Sequence, residues 1–284
     1  MTDSQPWSPW EQRSLLAFLG FTVVAVAGYG VFGVRPDRLP DSGPLLAFWT
    51  ISFQFFARAH IVIAAGVLGV HLTRRMGGRW LLALVAVYLA SFASEHLGTG
   101  YGLPFGDYRY TAMLGPKLGG RVPVVIPLSW FLMALPSFVM ASVTFPGRAG
   151  RWGRIGFASL LLVVWDLALD PAMSFLVPYW IWGDVGLYYG MPWINLVGWF
   201  VTGLLIMGLL EVLGGRSWGT NLSARWCLAY WGVTVLMPLG MVAVTGHWLA
   251  VGVTLAGIAG CWGIHLWLRP HANDPQPNSA SVLS

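Results

Sequence analysis

Charge is scarce in this chain: Asp, Glu, Lys and Arg together make up 10 % of its 284 residues, and lysine occurs once, as Lys117. A retinal-type Schiff base needs a lysine inside the membrane, and Lys117 stands in a glycine-containing loop. Cysteine is nearly absent. Cys227 and Cys261 both fall inside apolar runs, which excludes a disulfide framework and a cysteine metal cluster. The six histidines are scattered, without the paired short spacings of membrane di-iron enzymes. No glycine-rich nucleotide fingerprint occurs in a strand-to-helix context, and no aspartate-rich pair of motifs is present for magnesium diphosphate. The expectation is therefore a protein with no metal and no cofactor.

What the chain does have is apolar length. Hydrophobic residues make up 56 %, in runs long enough to cross a bilayer. The spans read as 15–34, 45–72, 80–97, 122–145, 155–178, 193–213, 227–246 and 249–268. The expected fold is all-α, a polytopic transmembrane helix bundle of about eight spans. Seven is the alternative, because only Gly246-His247-Trp248 separates the last two. A single helical domain over 1–268 is expected, with outer loops at 98–121 and 179–192 and a polar, disordered tail over 269–284. Ala25-Val26-Ala27 looks like a signal-peptidase site, but apolar sequence continues past it, so cleavage is not expected. The net charge of +5 would suggest nucleic acid in a soluble protein; here the cations sit between apolar spans. Ten fall in loops on the terminal side against five opposite, which places both termini in the cytoplasm.

The stretch from Ser94 to Pro127 is too elaborate for a connector, with charge, rings and clustered glycines between two apolar spans. Under the eight-span topology the unusual polar residues gather in one outer layer: Glu95, His96, Asp107, Asp166, Asp170, Asp184 and Arg58. Asp166 and Asp170 are four residues apart and share a helix face. Two such carboxyls in a low-dielectric site do not cheaply both ionise, so one should keep a proton and be usable as an acid. Pro171 should free the carbonyl of Leu167 and kink or end the helix. A structural ion pair with Arg58, which has Gln54 four residues back on the same face, is the plain alternative. Glu95 and His96 could equally be wet at the headgroup level. Asp107 and Asp184 stand where turn formation is the ordinary explanation. His60, His71, His247 and His265 read as packed or interfacial. The 17 tryptophans read mostly as an interfacial belt, with those beside the acids able to line a groove for a long apolar substrate.

Glu95-His96-Leu97-Gly98, Leu103-Pro104-Phe105-Gly106-Asp107-Tyr108-Arg109-Tyr110, Leu114-Gly115-Pro116, Val122 to Trp130, Asp166-x-x-x-Asp170-Pro171 and Gly186-Leu187-Tyr188-Tyr189-Gly190-x-Pro192-x-x-Asn195-x-x-Gly198-Trp199 occur in this order. In these motifs, over roughly 45–215, the chain resembles the integral-membrane carotenoid biosynthesis family, which includes carotenoid hydratases of the CruF type. The resemblance implies a bacterial or archaeal cytoplasmic membrane protein that adds water to the terminal 1,2 double bond of an acyclic ψ end group. Its partners would be a carotenoid such as γ-carotene or lycopene, water and membrane lipid, with no nucleic acid; oligomeric state is left open.

Chemistry then suggests roles. Asp166 or Asp170 would deliver the proton, and Glu95 or His96 would position or deprotonate the water. Arg58 would keep one carboxylate ionised, with Asp107, Asp184 and Asn195 in support. Trp130, Trp165, Tyr188, Tyr189 and Trp199 would line the substrate groove. Other readings stay open at this point: a proton-coupled transporter, since intramembrane Asp and Arg also suit a relay, a related protein that modifies carotenoids by another reaction, and a carotenoid-binding protein without catalysis.

Overall fold

Inside a bilayer a backbone amide has no water to bond, so apolar runs of this length are forced into helices. The computed structural model describes residues 7–40 and 42–268, and the expected tail lies outside them. Its long helices are α1 (Pro9–Gly28, extended by a π turn over Tyr29–Gly33), α2 (Pro44–Met76), α3 (Trp80–Tyr101), α4 (Val125–Thr144), α5 (Arg151–Asp170, extended by a π turn over Pro171–Leu176) and α6 (Ile194–Leu213). A short α7 (Arg216–Asn221) leads into α8 (Ala224–Val244) and α9 (Trp248–Trp267). All but α7 are long and apolar enough to cross a membrane, which gives eight candidate spans among the described residues. The eighth, in doubt from sequence, is a full helix after a turn at Thr245 to His247.

Local sequence sets the boundaries. Ser8 and Glu11 form a capping box at α1, with Ser8 N–H to Glu11 Oε2 at 2.7 Å and Pro9 in the first turn. Gly102, left-handed at φ 73°, stops α3, its N–H closing on the carbonyl of Gly98 at 2.9 Å. Ser223 caps α8 through the N–H of Trp226.

The core lies around α4 and α5. Helix α4 packs against α2, α3, α5, α6 and α8, whereas α9 rests on α5 and α8 and leaves most of its surface outward. The loop end carries two short ribbons: β1 (Tyr108–Tyr110) pairs antiparallel with β4 (Trp180–Trp182), and β2 (Lys117–Leu118) with β3 (Val122–Pro123). In the first, Tyr108 lies opposite Trp182 and Tyr110 opposite Trp180, so period-two alternation turns these four rings inward and Arg109 and Ile181 outward. Phe105, 2 % exposed, anchors the ribbon between two helices. It fits because α3 and α6 carry glycine there: a Cβ on Gly98 would sit 2.8 Å from the Phe105 ring, and one on Gly198 would sit 2.6 Å from it.

Candidate active site

Glu95 occupies the last two turns of α3 and is buried beneath the ribbon. Its carboxyl accepts three hydrogen bonds: from Tyr108 Oη and Tyr110 Oη (2.8 Å) on Oε2, and from Trp130 Nε1 (2.9 Å) on Oε1. Both phenols are pushed well above their ordinary pKa, by burial first and by the adjacent Glu95 charge second, so they remain neutral donors.

Asp166 and Asp170 stand on the inward face of α5, as their spacing requires, and both are buried. The side-chain amide of Asn195, on α6, donates to Asp166 Oδ2 at 2.9 Å and to Asp170 Oδ2 at 2.6 Å. One amide nitrogen thus bridges both carboxyls and holds them as neighbours. Trp180 Nε1 donates to Asp170 Oδ1 at 2.8 Å. Pro171 ends α5 as a regular helix, and Tyr188 Oη donates to the Leu167 carbonyl at 2.6 Å, the acceptor a proline four residues on leaves without its helical donor.

Glu95 and Asp170 face the same space, a cavity of about 100 Å³ bounded by α2, α3, α4, α5, α6, α8 and the ribbon. Its walls are mainly aromatic and aliphatic. Trp130 and Trp199 are stacked at 4.2 Å, with Trp165 edge-on to Trp199 at 5.6 Å, and all three line it. Leu114, Met133 and Met173 are among the aliphatic side chains of the wall.

Several of the residues expected at the site stand elsewhere. Asp166 is one layer behind Asn195 and does not line the cavity. His96, one residue past Glu95, is turned about 100° around the helix and packs on Phe92 and beside Gly119. The expected pairing of Arg58 with a carboxylate does not form. Its guanidinium donates to the carbonyls of Met113 (2.9 Å) and Ala112 (3.1 Å) and to Gln54 Oε1 (3.0 Å), because the loop after β1 folds back onto α2. Asp107 and Asp184 are exposed, as turn residues are. Tyr188 serves the α5 terminus, and Tyr189, at φ 52°, packs on Phe175 and His247 instead of in the groove.

Sequence reasoning missed Tyr108, Tyr110, Trp180 and His60. The first two belong to the motif that ends at Tyr110, and alternation in Tyr108-Arg109-Tyr110 was the available signal. Among the described residues no group of three or more His, Cys, Asp or Glu could hold a metal ion.

A bundle of eight apolar helices that buries three carboxyls among neutral donors, beside a tryptophan-walled cavity, is a polytopic membrane protein with an enclosed acid site. Comparison with known proteins gives that class a family. A family model described as carotenoid biosynthesis protein matches residues 56–260, and the chain belongs to that family. It is 31 % identical over 230 residues to bisanhydrobacterioruberin hydratase of Haloarcula japonica, covering 75 % of this chain and 74 % of that protein. No solved structure matches.

Proposed function

We propose that this protein is a carotenoid hydratase that adds water across the terminal 1,2 double bond of an acyclic ψ end group to give a tertiary alcohol. The single observation that carries the reading is the meeting of Glu95 and Asp170 at one mainly apolar cavity, where Tyr, Trp and Asn side chains donate hydrogen bonds to them. The family and the hydratase named for the Haloarcula relative support the substrate class and the reaction.

Asp170 and Asp166 share one amide, and like charges that close disfavour full ionisation of both, so the pair retains a proton. Asp170, the member that lines the cavity, transfers it to the less substituted alkene carbon. The tertiary cation that remains lies against the Trp130, Trp165 and Trp199 faces and the Glu95 carboxylate. Water adds to the cation and its proton passes to Glu95; Glu95 then releases that proton to solvent and the aspartate pair takes one back, which restores both. Asp166 and Asn195 position Asp170 in this scheme. With both termini in the cytoplasm, as the loop cations favour, the site lies toward the outer surface of a bacterial or archaeal cytoplasmic membrane.

Expression in cells making lycopene or γ-carotene tests the reading: a product heavier by one water is expected. Pigment recovered unchanged would reduce the protein to a carotenoid binder, and proton flux in liposomes without any lipid substrate would point to a transporter.

A further inference from the structure

The cavity carries a second polar station, contributed by α2 and α8. His60 on α2 is 6 % exposed, lines the cavity, and its Nε2 has no hydrogen-bond partner among the described residues. A buried polar atom left without a partner is costly, and a bound water or ligand is the usual remedy. Across from it α8 contributes Thr234 and Pro238 to the same lining. Thr234 Oγ1 donates to the Tyr230 carbonyl at 3.0 Å, which leaves its lone pairs open, and Pro238 cannot donate to the carbonyl of Thr234 four residues earlier. One turn on, the wall closes: Tyr230 Oη bonds the Ala64 carbonyl at 3.1 Å, and Phe18 packs on both His60 (4.8 Å) and Tyr230 (5.8 Å). An unpartnered nitrogen from α2 and open oxygen lone pairs from α8 thus both lie in the wall of the same cavity.

We propose that His60 Nε2 and Thr234 hold the water that becomes the product hydroxyl, and that the tertiary alcohol then occupies the same hydrogen bonds. This rests on the hydration reading. The water oxygen forms the new C–O bond and its proton leaves to Glu95, while the proton from Asp170 forms the new C–H bond at the neighbouring carbon. His60 is a positioning residue that exchanges no proton. Substrate and product therefore differ in how they use it: the hydrocarbon touches it with no polar group, and the alcohol does.

The test compares binding of lycopene and of its 1-hydroxy derivative to the purified full chain in detergent, alongside hydration kinetics. Wild type should prefer the alcohol. His60→Leu should lose about five- to tenfold of that preference, the size of one neutral hydrogen bond, with kcat reduced and KM for lycopene little changed. His60→Gln, which keeps a polar group there, should recover part of both. A folded His60→Leu protein with the wild-type preference would overturn the proposal. Should His60→Leu not fold, Thr234→Val decides: a diminished preference supports the water station and an unchanged one refutes it. Wild type that never hydrates lycopene or γ-carotene would sink the hydration reading, while the binding comparison still judges His60.

Discussion

The two ends of this bundle treat buried carboxyls in opposite ways. At the end where α1 begins, Glu11 accepts two-pronged hydrogen bonds from Arg75 at 2.9 Å and lies 2.9 Å from His71 Nδ1. Nearby, Arg154, 1 % exposed, grips Glu211 through Nε and Nη2 at 2.6–2.9 Å and caps the carbonyls of Phe145 and Gly147. At the loop end, Glu95, Asp166 and Asp170 take part in none of the ion pairs among the described residues. Two cations there serve carbonyls instead, Arg58 those of Ala112 and Met113 and Lys117 that of Tyr110. A carboxylate matched to a guanidinium is fixed in charge and holds helices together. One surrounded by neutral donors can gain or lose a proton without stranding a buried cation.

That contrast is open to attack at each end. The largest effect is expected for Asp170→Asn, which removes the proton but keeps the shape; hydration should fall about 10²- to 10⁴-fold, with the melting temperature in detergent little changed. Arg154→Met should do the reverse. Leaving the half-buried Glu211 and the Phe145 and Gly147 carbonyls without their donor should cost about 2 kcal/mol of stability, read as a lower melting temperature, with turnover per folded molecule unaffected. Loss of turnover there would blur the distinction between the ends.

Tyr108→Phe should act more gently, reducing turnover about tenfold through one lost hydrogen bond to a charged group. A linked pH effect follows from the raised pKa values of Tyr108 and Tyr110. Folding favours their neutral form, so their contribution to stability is whole below the ordinary tyrosine pKa of about 10 and declines as pH climbs beyond it. Melting temperatures between pH 8 and about 11 should therefore fall only at the alkaline end, and fall less in Tyr108→Phe. Smallest of all, Arg58→Ala should loosen the loop after β1 by about 1 kcal/mol, visible as faster amide exchange at 111–115, with hydration retained.

How far the sequence could be read follows the same division. The spans were legible because bilayer thickness writes itself into run length; the expected 80–97 and 155–178 became Trp80–Tyr101 and Arg151–Leu176. The Asp166 and Asp170 face, the freed Leu167 carbonyl and the Gln54–Arg58 contact were equally local and equally readable. What sequence hid was the pairing of β1 with β4, two three-residue strands about seventy residues apart, each too short to carry a periodic signal of its own. Without it Tyr108, Tyr110 and Trp180 look like interfacial aromatics, and Arg58 looks free to meet an aspartate. His60 was hidden for another reason, since a histidine on an apolar helix gives no sign of which wall it faces.

Proton delivery from the loop-end carboxyls is tested most directly by running the reaction in deuterated water. The alcohol, after its hydroxyl is exchanged back in ordinary solvent, should retain one deuterium on the carbon next to the new C–OH. An alcohol formed at the wild-type rate by Asp170→Asn, or one with no carbon-bound deuterium, would contradict protonation of the alkene at this site.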